Sequence, residues 1–194
     1  MITTSTNSQT RTTSRAFPTS VSLALQLLAL LLVGFTATWL HARFRFPMNL
    51  PGRHGLEFML LIMGARYISG LRLSATVAVS GSVLASLIPV LGFKDPMLPY
   101  IYVAMGALID FAWYRWSTLR KWVPLVALLG GLAYGLIPTI RLGFMLLGSY
   151  PYNSFLKHGY IVPFLTHIAF GFVGAFAGVG LISEIRKRVK KKNS

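Results

Sequence analysis

Three side chains able to bind a ligand or move a proton crowd one short segment, Arg53, His54 and Glu57. His54 and Glu57 are three apart, which places them on one face of any helix that starts there. Imidazole and carboxylate together suit a divalent metal, but the chain has no HExxH pattern and spacing fixes no third ligand, so no metal centre is assigned. Arg141 and His167 stand alone inside long apolar runs. An arginine there offers a planar fork that grips a carboxylate or phosphate. With Tyr150, Tyr152 and Asn153 from the segment between those runs, these residues are the candidates for holding a small polar solute: Glu57, Arg141, His167, His54 and Tyr152. The bland reading of the same set is that Glu57 neutralises Arg141 and His167 bonds a backbone carbonyl. A second set is Arg66 and Asp110, each about a dozen positions into its own apolar run, or ~17 Å at 1.5 Å per residue. Opposite charges at one depth pair, and we assign them as a structural intramembrane ion pair; a proton or ion relay is the alternative use of Asp110. His41 and His158 read as interface residues.

The elements that must position these groups follow from the apolar runs. A spanning helix needs about 20 apolar residues. Six runs approach that length: 18 to about 41, 55–71, 73–92, 97–116, 122–147 and 161–185. Pro18 suits a first helical turn, where its missing N–H is no loss. The second run is short, and Pro138 is expected to kink the fifth. The turn-rich segments RFRFPMNLPGRHG and GSYPYNSFLKHGY are long loops, and Met48, Leu50 and Pro51 on the first are placed to close over a ligand. The fold class is therefore all-α, a polytopic membrane protein built as a bundle of about six transmembrane helices. Residues 1–17, rich in Ser and Thr without helical period, are expected to be a disordered cytoplasmic segment. Residues 18–185 form the transmembrane domain, and 186–194 a basic solvated tail. The run Val21–Leu40 is too long for a signal-peptide core, and no small-x-small cleavage site follows it, so the first helix is expected to stay.

Composition supports this class. The 194 residues are 54% hydrophobic and 12% charged, more apolar surface than one soluble core of this size hides. The net charge of +15 comes from Lys and Arg lying mostly between and beyond the apolar runs. Without a nucleic-acid-binding motif, that charge reads as a topology signal and as contact with anionic membrane lipid, with no nucleic-acid partner. Thirteen cations fall on one side (Arg11, Arg15, Arg66, Arg72, Arg115, Arg120, Lys121 and six in the tail) against Arg43, Arg45, Arg53, Lys94 and Lys157 on the other. The richer side is cytoplasmic, which puts both termini there, in the cell membrane, and both long loops outside. Aromatic residues near the helix ends, among them Trp39, Tyr100, Trp116, Trp122 and Tyr160, suit the two interfaces. Small residues four apart mark close-packing faces: Ser74, Ala78, Ser82 and Ser86; Gly131 and Gly135; Gly171 with Ala175 and Gly174 with Gly178. With no cysteine there is no disulfide, thiolate site or cysteine nucleophile. No GxSxG, P-loop, dinucleotide or zincin pattern is present, and four carboxylates leave little for paired acid–base work, one of them (Asp95) in the solvent-side FKDP loop. An enzyme is not expected, and no cofactor is implied.

In layout over residues 20–185, and in the segments LPGRHGLEFMLLIMGAR and LPYIYVAMGALID, the chain resembles the S components of energy-coupling-factor transporters, their substrate-binding membrane subunits. The resemblance implies a vitamin or metal ligand in the outer half, the first outer loop as a lid, and as partners a coupling membrane protein with two cytoplasmic ATPases. S components commonly carry two alanines four apart on the first helix for docking. Here Ala24 and Ala29 are five apart, and Gly34 with Thr38 lies toward the outer end. The competing expectation is a non-catalytic membrane scaffold or assembly factor, in which the buried charges are structural and the small-residue faces and basic tail bind other proteins or lipid.

Overall fold

The computed structural model describes residues 19–44, 49–148 and 151–192. The expected disordered segment 1–17, Pro18, Arg45, Met48 and Tyr150 lie outside the described residues. Within them the chain is all-helical, without strands. Its helices are α1 (Thr19–Arg43), α2 (Gly55–Ile68), α3 (Ser74–Ser86), α4 (Leu98–Arg115), α5 (Val123–Tyr134), α6 (Leu136–Leu146), α7 (Asn153–His158) and α8 (Ile161–Lys192).

Three stretches are long and apolar enough to cross a membrane: Val21–Arg43, Val123–Leu146 and Ile161–Lys192. The third and fifth runs depart from the sequence pattern for identifiable reasons. The third run stops at Ser86 because Pro89 lacks an N–H and forces Ile88 into an extended conformation (φ −82°, ψ 114°). A single 3-10 turn, Pro89–Leu91, follows and closes on Gly92. The fifth run divides at Gly135, one turn before Pro138. That offset is where a proline acts, since its ring excludes the carbonyl four residues earlier, at Tyr134, where α5 ends. The long loop before α8 contains the short α7. The tail is exposed and helical, continuing α8 past the expected end at about 185 to Lys192. Arg and Lys are good helix formers, and cations suit a helix C-terminus. Glu184 adds pairs to Lys187 (3.8 Å) and Arg188 (3.4 Å).

α2 is the central element. It packs chiefly against α8 and also touches α1, α3 and α5; α1 packs on α3, α3 on α4, and α5 on α8. Phe58, Met59, Ile62 and Met63 of α2 are fully buried, among Val79, Ile101, Met105, Ile109, Val126 and Val179 from its neighbours. The small-residue faces make these contacts. Gly174 and Gly178 lie directly on the α2 backbone at Leu56 and Leu60, where a β-carbon would overlap the carbonyl oxygens. Gly34 of α1 likewise meets Ala78 of α3, and Ser82 Oγ donates to Gly34 O at 2.8 Å. Ala78, Ser82, Gly171, Gly174, Ala175 and Gly178 are all buried within the bundle, so these faces hold this chain together.

Charge is accommodated at the end where α8 finishes. Arg66 is 1% and Asp110 2% exposed, with Nε to Oδ1 at 2.9 Å. Asp110 also caps α3 from the neighbouring helix. Its Oδ1 accepts from the Ala75 amide (3.2 Å), and its Oδ2 from the Thr76 amide and hydroxyl (both 2.8 Å). The first amides of a helix have no partner within it, and a carboxylate complements the positive end of its dipole. Arg66 is held beyond the ion pair through Nη1, which donates to Leu71 O (3.1 Å) and Ser74 Oγ (2.8 Å), and the guanidinium lies 4.7 Å from the Trp113 ring. The pair thus stitches α2, α3 and α4 into one unit.

Candidate functional site

At the opposite end, four elements bring polar side chains to one hollow. α1 finishes there with His41, α2 begins there after His54, α6 carries Arg141, and α8 begins there with His167 on its second turn. They enclose a cavity of about 170 Å³ lined also by Pro51, Gly52, Leu98, Tyr102, Tyr134, Ile137 and Ser154. Aliphatic and aromatic faces make most of its wall, and a few polar groups converge on it, as in small-molecule sites.

The connection before α2 forms the wall nearest His167. Gly52 adopts φ +76° with its α-carbon so near α8 that a β-carbon would lie 2.6 Å from His167 Nδ1. Both the left-handed backbone and the close approach demand glycine. Gly55, three residues on, lies against the Tyr134 ring in the same way. The PGRHG turn is thereby pressed onto α5 and α8, and this holds His54 at the cavity.

The histidines have defined hydrogen-bond roles. His167 is 4% exposed, with Nδ1 2.6 Å from Pro163 O. A carbonyl only accepts, so Nδ1 carries a proton, and in the neutral ring Nε2 is then an acceptor. His54 Nδ1 lies 2.7 Å from Glu57 Oε1, while its Nε2 accepts from Arg53 Nε at 3.3 Å. Both ring nitrogens of His54 are therefore occupied within the protein. His41 stacks on His54 with centroids 4.1 Å apart and meets Phe93 edge-on at 5.3 Å. Tyr134 stacks on His167 at 5.3 Å.

Arg141 pairs with Asp95, not with Glu57. Its Nε donates to Asp95 Oδ2 at 2.8 Å, and its Nη2 lies 2.8 Å from the same oxygen. Asp95 Oδ1 accepts from the Tyr152 hydroxyl (3.1 Å) and the Met97 amide (3.0 Å), and the guanidinium lies 5.4 Å from the Tyr152 ring. Asp95 is a hub that ties the segment before α4 to α6 and to the start of α7.

The structure thus brings Arg141, His167 and His54 to one cavity. Glu57 stands behind His54 rather than in the wall, and Tyr152 behind Arg141. His167 lines the cavity and also bonds a backbone carbonyl. The sequence reading missed Asp95, assigned to the solvent-side loop, and His41, assigned to an interface. The charge of Arg141 called for a carboxylate at its end of the bundle, and Asp95 of FKDP was a second candidate beside Glu57. For His41, its place in the last turn of the first apolar run puts it beside the start of the second. Among the described residues, no three His, Asp or Glu side chains converge as a set that could hold a metal ion.

No known protein family, curated protein or solved structure matches this chain.

Proposed function

We propose that the protein is a non-enzymatic, six-span membrane protein that binds a small solute in this cavity and serves as the solute-binding subunit of a transporter of the energy-coupling-factor type. The cavity itself supports the solute reading: a hollow of about 170 Å³ into which Arg141 and His167 project from different helices, walled by a glycine turn that fits no larger residue. Buried polar groups are costly unless matched, and grouping several of them around an open space suits a solute that satisfies them.

In this reading α2, α3 and α4 also cross the bilayer, alongside the three longer stretches. α2 and α3 have 14 and 13 residues, or ~20 Å each at 1.5 Å per residue, so their flanking turns complete the crossing. The cation-rich end, with Arg72, Arg120, Lys121 and the helical tail, is cytoplasmic, and the cavity opens outward. The exposed tail cations rest against anionic lipid headgroups. The chain carries no nucleotide-binding motif, so active uptake requires a coupling membrane protein and ATPase subunits.

The test is to purify the protein in detergent and identify the small molecules that accompany it by mass spectrometry. A stoichiometric solute is expected. An empty protein that gains no thermal stability from organic acids, vitamins or divalent metals would overturn the proposal. Topology is read separately. The sequence has no cysteine, so single cysteines at Asn49, Thr118, Lys157 and Lys190 can be labelled with an impermeant maleimide on intact cells. Labelling at Asn49 and Lys157 but not at Thr118 or Lys190 is expected.

A further inference from the structure

We infer that the solute is a short hydroxycarboxylate anion, its carboxylate on Arg141 and its hydroxyl on His167. This rests on the solute-binding reading of the same cavity and adds the ligand's chemical class.

Size comes first. About 170 Å³ lies below the ~300 Å³ at which drug-sized sites begin. The cavity alone suits a chain of two to four carbons, with Leu98, Ile137 and the two tyrosine rings in its wall.

Charge comes second. Arg141 presents Nε and Nη2 to Asp95 and keeps Nη1, which has no hydrogen-bond partner among the described residues and is not sealed from solvent. Asp95 fixes the plane of the guanidinium, and Nη1 remains as a charged donor for an anion. Outside the cavity, and sharing Pro51 and Ser154 with it, lies a wider open hollow of about 500 Å³. Its wall carries Arg53, Lys157, His158 and two asparagines, and no acidic side chain. A concave mouth with cations alone raises the local concentration of anions.

The hydroxyl comes from the histidines. His54 has both ring nitrogens engaged, so it shapes the wall without binding. His167 has its proton fixed on Nδ1 by the Pro163 carbonyl, and its Nε2 has no partner among the described residues yet is not sealed. His167 lines the hollow, and its unpartnered Nε2 is an acceptor that a ligand O–H can meet. A simple carboxylate carries no donor for it, whereas a ligand hydroxyl adds one hydrogen bond.

Three probes separate the elements. Glycolate has both groups, acetate lacks the hydroxyl, and ethylene glycol lacks the carboxylate. Isothermal calorimetry on the full chain in detergent should show glycolate binding about tenfold more tightly than acetate, the worth of one hydrogen bond to the site, with no heat from ethylene glycol. His167→Phe, which keeps a ring beside Tyr134, should abolish the preference for glycolate over acetate, with a cooperative thermal transition showing that the variant is folded; a preference retained by the folded variant overturns the proposal. Lys157→Gln, at the mouth, should slow glycolate association several-fold, and less so at high salt. Equal affinity for glycolate and acetate overturns the proposal, as does ethylene glycol binding as well as glycolate. If no anion binds while purified protein retains a different solute, the ligand class is wrong and the cavity reading stands. If no anion binds and no solute is retained, both fall.

Discussion

Asp110→Asn tests how the charged end of the bundle is held. Asparagine keeps the shape and one acceptor oxygen, so the bond from the Thr76 amide can persist. The negative charge goes, and Arg66, 1% exposed, is left without the carboxylate 2.9 Å from its Nε. Removing one partner of a buried pair costs about 3–5 kcal/mol, most of it the stranded charge. Because one acceptor is retained, the lower end of that range, about 3 kcal/mol, applies. In a chain of this length each kcal/mol moves the melting temperature by roughly 2–4 °C, so a fall of about 6–12 °C is expected. Tryptophan fluorescence on the detergent-solubilised protein reads it, because Trp113 lies against Arg66. Adding Arg66→Met to the Asn variant removes the stranded charge, and stability should recover by at least ~1 kcal/mol relative to the sum of the two single changes. A single variant that melts within about 2 °C of the wild type, or a pair whose effects simply add, would refute the reasoning. An ion-relay role for Asp110 makes a different demand, pH-dependent flux that vanishes in Asp110→Asn at unchanged stability.

Gly178→Ala places a methyl group on the Leu60 carbonyl and should destabilise by about 1–3 kcal/mol, the usual cost of overpacking. Gly180→Ala, on the same helix with nothing within 4 Å, should stabilise by about 0.4–1 kcal/mol; comparing the two melting temperatures checks both. Asp95→Asn removes the charged partner of Arg141 and should cost about 1.5–3 kcal/mol, with faster proteolysis around α7 because the bond from Tyr152 weakens. Replacing Lys187, Lys190, Lys191 and Lys192 by Gln should lower sedimentation with vesicles containing phosphatidylserine and leave neutral-vesicle binding unchanged.

What the sequence made legible was local. Apolar runs located the helices, and equal depth in two runs pointed to the meeting of Arg66 with Asp110. Spacing of three pointed to the contact of His54 with Glu57. The helix limits that departed from the pattern were set by backbone chemistry at Pro89 and Pro138, whose influence reaches residues before the proline itself. Lateral order among helices was not legible, because an apolar helix in a bundle of similar helices carries no label for its neighbour. Arg141 therefore had two equally placed carboxylates, Glu57 and Asp95, and periodicity gave no means of choosing. The choice comes from the fold: His54 and Arg53 engage the α2 end, while Phe93 against His41 brings the following Lys94–Asp95 segment over α6. The tail, read from its charge run as solvated, is exposed and continues α8 as a helix to Lys192.

The most direct test is native mass spectrometry of the wild type beside Ser154→Trp, in which an indole fills the wall shared by the cavity and its mouth. A single small adduct on the wild type, absent from the variant while both unfold at similar temperatures, is the expected result. An adduct retained by the filled variant, or none on either protein even with millimolar glycolate added, would contradict the account.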